Sequence, residues 1–328
     1  MSAKGRATAV ARANIALAKY WGKSDETLNL PAVPSISVTL EPMRTETTVT
    51  LDSALPSDVF LLGGEPARAE ETERVTALLD RVRAASGLRE RARVESRNHF
   101  PTASGLASSA SGFAALAAAA RAAYGLARDD AAASALARQA SASAARSLYE
   151  GFVELPAGVP GDASLAARPL HPASHWDLRV VVAVITEARK DVGSTGGMGL
   201  SKKTSPYYDA WVAAAPRIAD TIRAALAARD LATLGPATEH SFATMHALAL
   251  STSPPTFYFQ PASMAALATV RRLRAEGVPV FATMDAGPHV KAVCHADDAP
   301  RVERALADTA GVLRILSARP GAGIELDA

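Results

Sequence analysis

The sequence predicts an α+β fold, and three observations carry that expectation. Strand-like segments alternating polar with apolar residues dominate the first part, helical runs interleave with them, and a Pro/Gly/Ser-rich stretch then precedes a second set of strands and helices. At 328 residues, 48% hydrophobic and 21% charged, the chain suits one large or two intimate globular domains.

In chain order, "RATAVARANIAL" (6–17) reads as a strand leading into a turn, and "SISVTLEP" (35–42) and "TETTVTLDS" (45–53) as two half-buried strands. "DVFLLGGEP" (58–66) is a strand ending in a Gly-Gly turn. "AEETERVTALLDRVRAAS" (69–86) repeats apolar residues at helical spacing, with acids in its first turn and Gly87 after its end. "RARVESRNHF" (91–100) is a strand, followed by two alanine-rich helices, roughly Leu106–Tyr124 and Asp129–Ser147. "ELPAGVPGDASLAARPLHPASHW" (154–176) reads as loop and crossing, and "DLRVVVAVIT" (177–186) as a buried strand. Long helices are expected between Pro206 and Leu250, interrupted near Gly235–Pro236. "PASMAALATVRRLRAEG" (261–277) is a helix with a glycine cap, "VPVFATMDAGPHVKAVCHA" (278–296) a hairpin around a Gly-Pro turn, and a last helix and strand close the chain. No repeat period or heptad pattern appears. The boundary between the two parts is expected between about 170 and 190.

Composition excludes several function classes. A net charge of +2 argues against a nucleic-acid partner, for which a basic stripe is expected. The single cysteine, Cys294, excludes an internal disulfide framework and fits a reducing compartment. "MSAKGRATAV" lacks the apolar run of a secretory signal, and no stretch is long and apolar enough to span a membrane, so a cytoplasmic location is expected.

Chemistry concentrates in a few segments. "FPTASGLASSASGFAALAAAA" (100–120) lies where a strand gives way to a helix. Unpaired amides at that helix start, small side chains, and the hydroxyls of Ser108 and Ser109 can hold a phosphate; equally, the same residues can cap and closely pack a helix. The Gly-Lys-Ser/Thr of a Walker loop is missing. "NIALAKYWGK" (14–23) brings two lysines and two aromatics into one turn, or forms an amphipathic surface segment. "SASAARSL" (141–148) puts Ser141, Ser143 and Arg146 together, and arginine can grip a carboxylate with two parallel hydrogen bonds. "RKDVGSTGGM" (189–198) is a Gly/Ser-rich loop headed by two cations. In "TMDAGPHV" (283–290), Asp285 ends a strand in a tight turn, as a turn former or as an acid aimed into a cleft.

Together, "NIALAKYWGK", "LNLP" with "SISVTL", "FPTASGLASSASGFAAL", "RQASASAARSLYEGF", "DVGSTGGMGLS" and "MDAGP" closely resemble the diphosphomevalonate decarboxylase family. That family lies within the galactokinase, homoserine kinase, mevalonate kinase and phosphomevalonate kinase superfamily. The resemblance runs from Asn14 to about Lys291, and "KYWGK" and "DAGP" set the family apart from its kinase relatives.

It implies an N-terminal ribosomal-S5-like domain (1–178) and a C-terminal ferredoxin-like domain (179–328), with the active site in the cleft between them. It also implies ATP-dependent decarboxylation of mevalonate 5-diphosphate to isopentenyl diphosphate, through phosphorylation of the 3-hydroxyl, by a homodimer. Asp285, Lys19 and Arg146 would be catalytic, with Asn14 holding the Arg146 guanidinium. Tyr20, Trp21, Gly22, Lys23, Arg74, the run Ser141, Ala142, Ser143, Ala144, Ala145, and Thr195 would bind substrate. Gly105, Leu106, Ala107, Ser108, Ser109, Arg189, Lys190 and Ser194 would bind ATP, with Mg2+ held through the ATP phosphates and by no protein metal site. The chain departs from the family pattern at Val33 and Pro34, which remove donors from the expected pocket wall, at His289 after "DAGP", and at Glu150. The first departure keeps mevalonate 5-phosphate open as a substrate. A 3-kinase that stops after phosphorylation and a catalytically idle protein on the same fold compete with the decarboxylase.

Overall fold

The computed structural model describes residues 5–100, 108–188 and 191–327. Its strands are β1 (Arg6–Ala18), β2 (Lys23–Asp25), β3 (Leu30–Pro31), β4 (Ser35–Asp52), β5 (Val59–Leu62), β6 (Glu65–Pro66), β7 (Arg91–Asn98), β8 (Phe152–Leu155), β9 (Arg168–His171), β10 (Leu178–Val184), β11 (Val280–Thr283), β12 (Val290–His295), β13 (Arg314–Pro320) and β14 (Glu325–Asp327). Its helices are α1 (Ala69–Ser86), α2 (Ser108–Ala123), α3 (Asp130–Ala140), α4 (Ser194–Thr204), α5 (Tyr208–Ala228), α6 (Leu231–Leu250), α7 (Pro261–Ala275) and α8 (Ala299–Ala307). The α+β expectation holds.

The spine is the antiparallel pair β1 and β4, in register from Arg6 opposite Thr50 to Ala18 opposite Ile36. β4 continues through Pro42 where two strands were expected. Register shifts opposite Arg12–Asn14 bend the pair without ending it, which is what a bulge does. The bend lets β4 change partners along its length. Ser35–Val38 pair with β8, Leu40 and Glu41 with β13, and Thr45–Asp52 with β7.

Three helices cover one face of the first part. Their alanines (Ala114, Ala117, Ala133, Ala137) and α1's Val75, Leu78 and Val82 pack on Ala7, Ala9, Val49 and Val94. Small side chains on α2 let it lie close to β1. Gly87, at φ 75, closes α1 as expected.

In the second part, β10 lies between β12 and β13, with β11 beyond β12. Successive β10 residues face opposite cores. Val180, Val182 and Val184 meet α5 and α6, while Val181 and Ala183 meet α7 and α8, which is why this strand reads as an unbroken apolar run. The α5–α6 core also takes Ile15, Leu17, Ile36 and Val38 from β1 and β4. The end of β1 and the β11–β12 turn are thereby fixed on one apolar floor. Among the described residues, no helix is long and apolar enough to cross a membrane.

Several local expectations need correction. The second alanine-rich helix stops at Ala140, because Ser141 is extended (φ −155), and Ala142–Leu148 form a separate 3-10 segment. The 154–176 stretch contributes part of β8 and all of β9, which pair with each other. The break between α5 and α6 falls at Arg229 and Asp230, with Asp230 capping α6 through Thr233 N (3.1 Å), so Gly235 and Pro236 lie inside the helix. The expected 189–198 loop is helical from Ser194. Strand β14 is additional to the elements expected.

Gly235 has a packing reason. A Cβ there would stand 2.1 Å from the Phe281 ring, on the strand leading to Asp285. Gly235→Ala should therefore destabilise the fold by about 1–3 kcal/mol, the usual cost of forcing atoms into a filled core. Urea denaturation measures it, and a midpoint equal to wild type would contradict this packing.

Candidate active site

Arg146 sits in the 3-10 segment between α3 and β8 and is almost fully buried. Its Nε donates to Ser37 Oγ (2.9 Å), one terminal nitrogen to Ser35 Oγ (2.6 Å) and the other to Asn14 Oδ1 (3.3 Å). Asn14 is oriented in turn by donating to Ser143 O (3.0 Å) and Ser147 Oγ (2.8 Å). Ser35 and Ser37 reach one guanidinium because alternate strand residues share a face. These three acceptors are neutral, and two of the five guanidinium N–H groups are left without an acceptor among the described residues. Burial pushes Arg146 down to about 10, offset in part by Asp285 and Tyr20, and it stays charged at neutral pH. A buried cation on neutral acceptors is suited to an anionic ligand.

Asp285 lies in the turn joining β11 to β12. Lys19, just past the end of β1, donates from Nζ to Asp285 Oδ1 (2.7 Å) and to Ala16 O (2.9 Å), while Ser241 Oγ on α6 accepts from the Lys19 backbone N–H (2.9 Å). Lys291 Nζ donates to the other carboxylate oxygen, Asp285 Oδ2 (3.0 Å). Both lysine side chains are buried, whereas Asp285 retains 28% exposure and so faces open space. Burial alone would raise the Asp285 carboxyl, but Lys19 and then Lys291 overcome it and hold it well below the usual carboxylate range. Burial, together with Lys291 and Arg146, brings Lys19 down to about 8 against the pull of Asp285. Three cations around one carboxylate make its surroundings positive.

Beside it, His246 lies among Phe242, Tyr258 and Phe259, and burial, then Lys19, lower it to about 3, so its ring is neutral. His289 accepts at Nδ1 from Ile185 N (3.1 Å), fastening the turn to β10.

Lys23 and Arg74 form a second pair of cations. Lys23 is pushed down by burial and by Arg74, with Glu26 opposing. Arg74 stacks over the Phe113 ring (4.6 Å) and donates to Ala140 O (3.0 Å), next to Ser141, whose hydroxyl lies 3.2 Å from that of Ser143. Gly22 (φ 106) turns the chain here, and a Cβ on it would stand 2.3 Å from Tyr208 Oη. The Tyr20 hydroxyl is buried with no hydrogen-bond partner among the described residues.

Other expected residues are placed differently. The Trp21 indole is in an apolar cluster with Met198, Trp211 and Tyr258, and its N–H donates to Ser201 Oγ (2.9 Å), so its side chain packs the two parts together. The methyl groups of Ala142, Ala144 and Ala145 point into cores, the Ala144 N–H donates to Ser141 O (2.8 Å), and Ala145 O accepts from Ser134 Oγ (2.9 Å). Val33, expected at the pocket wall, is buried in the Trp21 cluster. Glu150 is exposed and accepts from Ala173 N (3.3 Å).

A groove of 1060 Å³ runs between β5, β7 and the start of α2, lined by Phe60, Leu62, Asn98, Ser108, Ser109 and Phe113, with Arg68, Arg74 and Gly193 also on its wall. Ser194 and Thr195 open α4 beside Gly193, with Thr195 exposed. Gly105, Leu106, Ala107, Arg189 and Lys190 lie outside the described residues. Among the described residues, no group of three His, Cys, Asp or Glu side chains gathers to hold a metal ion.

Sequence alone assigns no role to Lys291, Ser35, Ser37, Ser241 or His246. Two signals for them are present in it: a lysine inside the apolar run "VKAVC", and serines two apart in "SISV" that must share a face. Ser241 and His246 gain meaning only from where α6 packs.

Comparison with known proteins finds matches along nearly the whole chain. Residues 11–166 match the diphosphomevalonate decarboxylase-like N-terminal domain, and residues 180–314 the mevalonate 5-diphosphate decarboxylase C-terminal domain. Diphosphomevalonate decarboxylase mvd1 of Aspergillus fumigatus is 40% identical over 304 residues, 87% of this chain and 75% of that protein. Diphosphomevalonate decarboxylase of Homo sapiens is 37% identical over 86% of this chain and 75% of its own length. Mevalonate diphosphate decarboxylase from Staphylococcus aureus superposes with a TM-score of 0.94 at 38% identity, over 99% of this chain and 98% of that one. A structure described as MDDEF in complex with MVAPP, AMPPCP and magnesium superposes at 0.92 and 38% identity, over 98% and 99%.

The Lys19 environment makes a prediction independent of substrate. Lys19 holds its proton less tightly folded (about 8) than unfolded (10.5). Between those values the unfolded chain binds more protons, so this group adds stability as pH rises. Wild type should therefore gain stability relative to Lys19→Met between about pH 8 and pH 10.5. Urea midpoints measure it, and parallel pH dependences in the two proteins would refute the assignment.

Proposed function

The chain belongs to the diphosphomevalonate decarboxylase family, and from that premise we propose that it uses ATP to phosphorylate the 3-hydroxyl of mevalonate 5-diphosphate, then releases phosphate and carbon dioxide to give isopentenyl diphosphate. The observation that carries this reading is a partly exposed Asp285 carboxylate close enough to act on an Arg146 guanidinium that is held on neutral acceptors. One group suits the substrate hydroxyl, the other the substrate carboxylate. The relatives' names specify the diphosphate, which favours it over mevalonate 5-phosphate.

Each residue then has defined work. Arg146 aims its two remaining N–H groups at the substrate carboxylate as a planar fork. Lys23, Arg74, Ser141 and Ser143 take the diphosphate, and the Tyr20 hydroxyl gains a partner there. The 1060 Å³ groove with Ser108 and Ser109 at a helix start suits a nucleoside triphosphate. Gly105, Leu106, Ala107, Arg189, Lys190 and Ser194 belong to the same expectation for ATP, and Thr195 to that for the substrate diphosphate. Mg2+, carried by the ATP phosphates, supplies neutralisation of the transferring charge.

Asp285 accepts a hydrogen bond from the tertiary hydroxyl and orients its oxygen. Its low basicity fits a loose phosphoryl transfer, in which the alcohol proton becomes strongly acidic only late, once the oxygen bonds to phosphorus. As phosphate departs with the C3–O electron pair, the pair of the bond to the carboxylate moves in to form the double bond, and carbon dioxide leaves. Arg146 keeps that bond aligned throughout. The division into 1–178 and 179–328, a homodimer and a cytoplasmic location belong to the same proposal.

The test is a product balance with ATP, Mg2+ and mevalonate 5-diphosphate. Wild type should release ADP, phosphate and carbon dioxide in equal amounts. ADP without carbon dioxide would mean a 3-kinase, and turnover restricted to mevalonate 5-phosphate would replace the substrate. Arg146→Lys, which keeps charge but loses the fork, should lower carbon dioxide release at least about tenfold while leaving ATP affinity nearly unchanged. Wild-type release in that variant would remove Arg146 from the site.

A further inference from the structure

Lys291 lies in the middle of the second part, on a strand with neighbours on both sides: Val182 of β10 and Thr283 of β11 stand directly opposite it. Its side chain is fully buried. An ammonium in such a place is costly unless a charged partner compensates it. The partner is Asp285, six residues earlier on the same hairpin, whose Oδ2 is 3.0 Å from Nζ.

Neutralising Asp285 does not require this lysine. Lys19 already pairs with Oδ1 at 2.7 Å and donates a second hydrogen bond to the Ala16 carbonyl. With Arg146 close enough to act on Lys19, the fully buried Lys291 makes the cluster positive overall. A stabilising salt bridge gains nothing from such an excess. A binding pocket for an anion does, and so does a carboxylate that must keep one orientation. With one oxygen held from β1 and the other from β12, the Asp285 plane cannot turn about its Cβ–Cγ bond without breaking a charged hydrogen bond.

We propose that Lys291 is a positioning residue for the reaction: it holds Asp285 Oδ2 so that the carboxylate meets the substrate hydroxyl ionised and in one orientation, and it supplies part of the positive charge that admits the anionic substrate. This rests on the function proposed above. Lys291 does not itself touch the reacting atoms.

Two readouts test it. Lys291→Met keeps the length and apolar stem of the side chain and removes the charge. Asp285 then keeps one cation instead of two, so its pKa rises by at least about one unit. In a pH profile near neutrality, where Asp285 stays ionised on Lys19, kcat falls at least about tenfold because the carboxylate has lost its fixed orientation. The second readout needs no substrate. Asp285 is identified in the carboxyl 13C spectrum as the signal missing from Asp285→Asn, and its titration midpoint is compared between wild type and Lys291→Met. Should Lys291→Met fail to fold, as judged by its melting transition, Lys291→Gln gives the same comparison. An unshifted Asp285 titration, or a wild-type kcat profile in the folded variant, overturns the proposal. Absence of carbon dioxide release by wild type would instead defeat the functional reading, while the carboxyl titration still decides whether Lys291 governs Asp285.

Discussion

The Asp285 carboxylate is the point on which the rest of the structure converges. It comes from a turn of the second part and is gripped by a lysine at the end of β1 and by another on its own hairpin. Holding those three groups within hydrogen-bond reach requires β1 and the β11–β12 turn to be fixed relative to each other. The apolar floor beneath them does this, since Ile15, Leu17, Val180, Val182, Ile222 and Phe281 form one cluster. The Trp21 side chain, seated against Trp211 and Met198, adds a second fastening just after Lys19. Packing that has no chemistry of its own sets the distance on which the chemistry depends.

The electrostatics follow from what partners are withheld. Buried Arg146 has three neutral oxygens as acceptors, and half-buried Lys23 lies between Glu26 and exposed Arg74. Cations so placed are not fully neutralised by their own neighbours. They are well placed for a ligand carrying a carboxylate at one end and a diphosphate at the other. The same excess of positive charge lowers the basicity of Asp285, so the proposed mechanism gives it orientation and late proton acceptance, in keeping with an alcohol that becomes acidic only as phosphoryl transfer proceeds.

Much of this is legible in the sequence, and for physical reasons. The strand and helix periods of "TETTVTLDS" and "AEETERVTALLDRVRAAS" are strong because each element has one core face, and "KYWGK" and "DAGP" are short, contiguous and chemically distinctive. What stays hidden depends on contacts between distant segments. β4 reads as two strands because Pro42 looks like an end, yet the bulge opposite Arg12–Asn14 carries the strand through it. Gly235–Pro236 looks like a helix break until Phe281 is seen against Gly235. Trp21 looks like a ligand contact because it sits in the motif, but its indole N–H is taken by Ser201, 180 residues away. Lys291 escapes notice because a charged residue in an apolar strand declares its purpose only when its partner is known.

The role of Asp285 is tested most directly by Asp285→Asn, which keeps the size of the side chain and its place between the lysines but removes its charge and basicity. The decisive measurement is single-turnover phosphoryl transfer, with ATP affinity and melting temperature determined on the same protein. The expected variant is folded, binds ATP like wild type and transfers phosphoryl at least about a hundredfold more slowly, the scale of a positioned proton acceptor. Transfer at the wild-type rate in that variant would contradict the role assigned to the carboxylate, and would place the reacting hydroxyl elsewhere in the cleft.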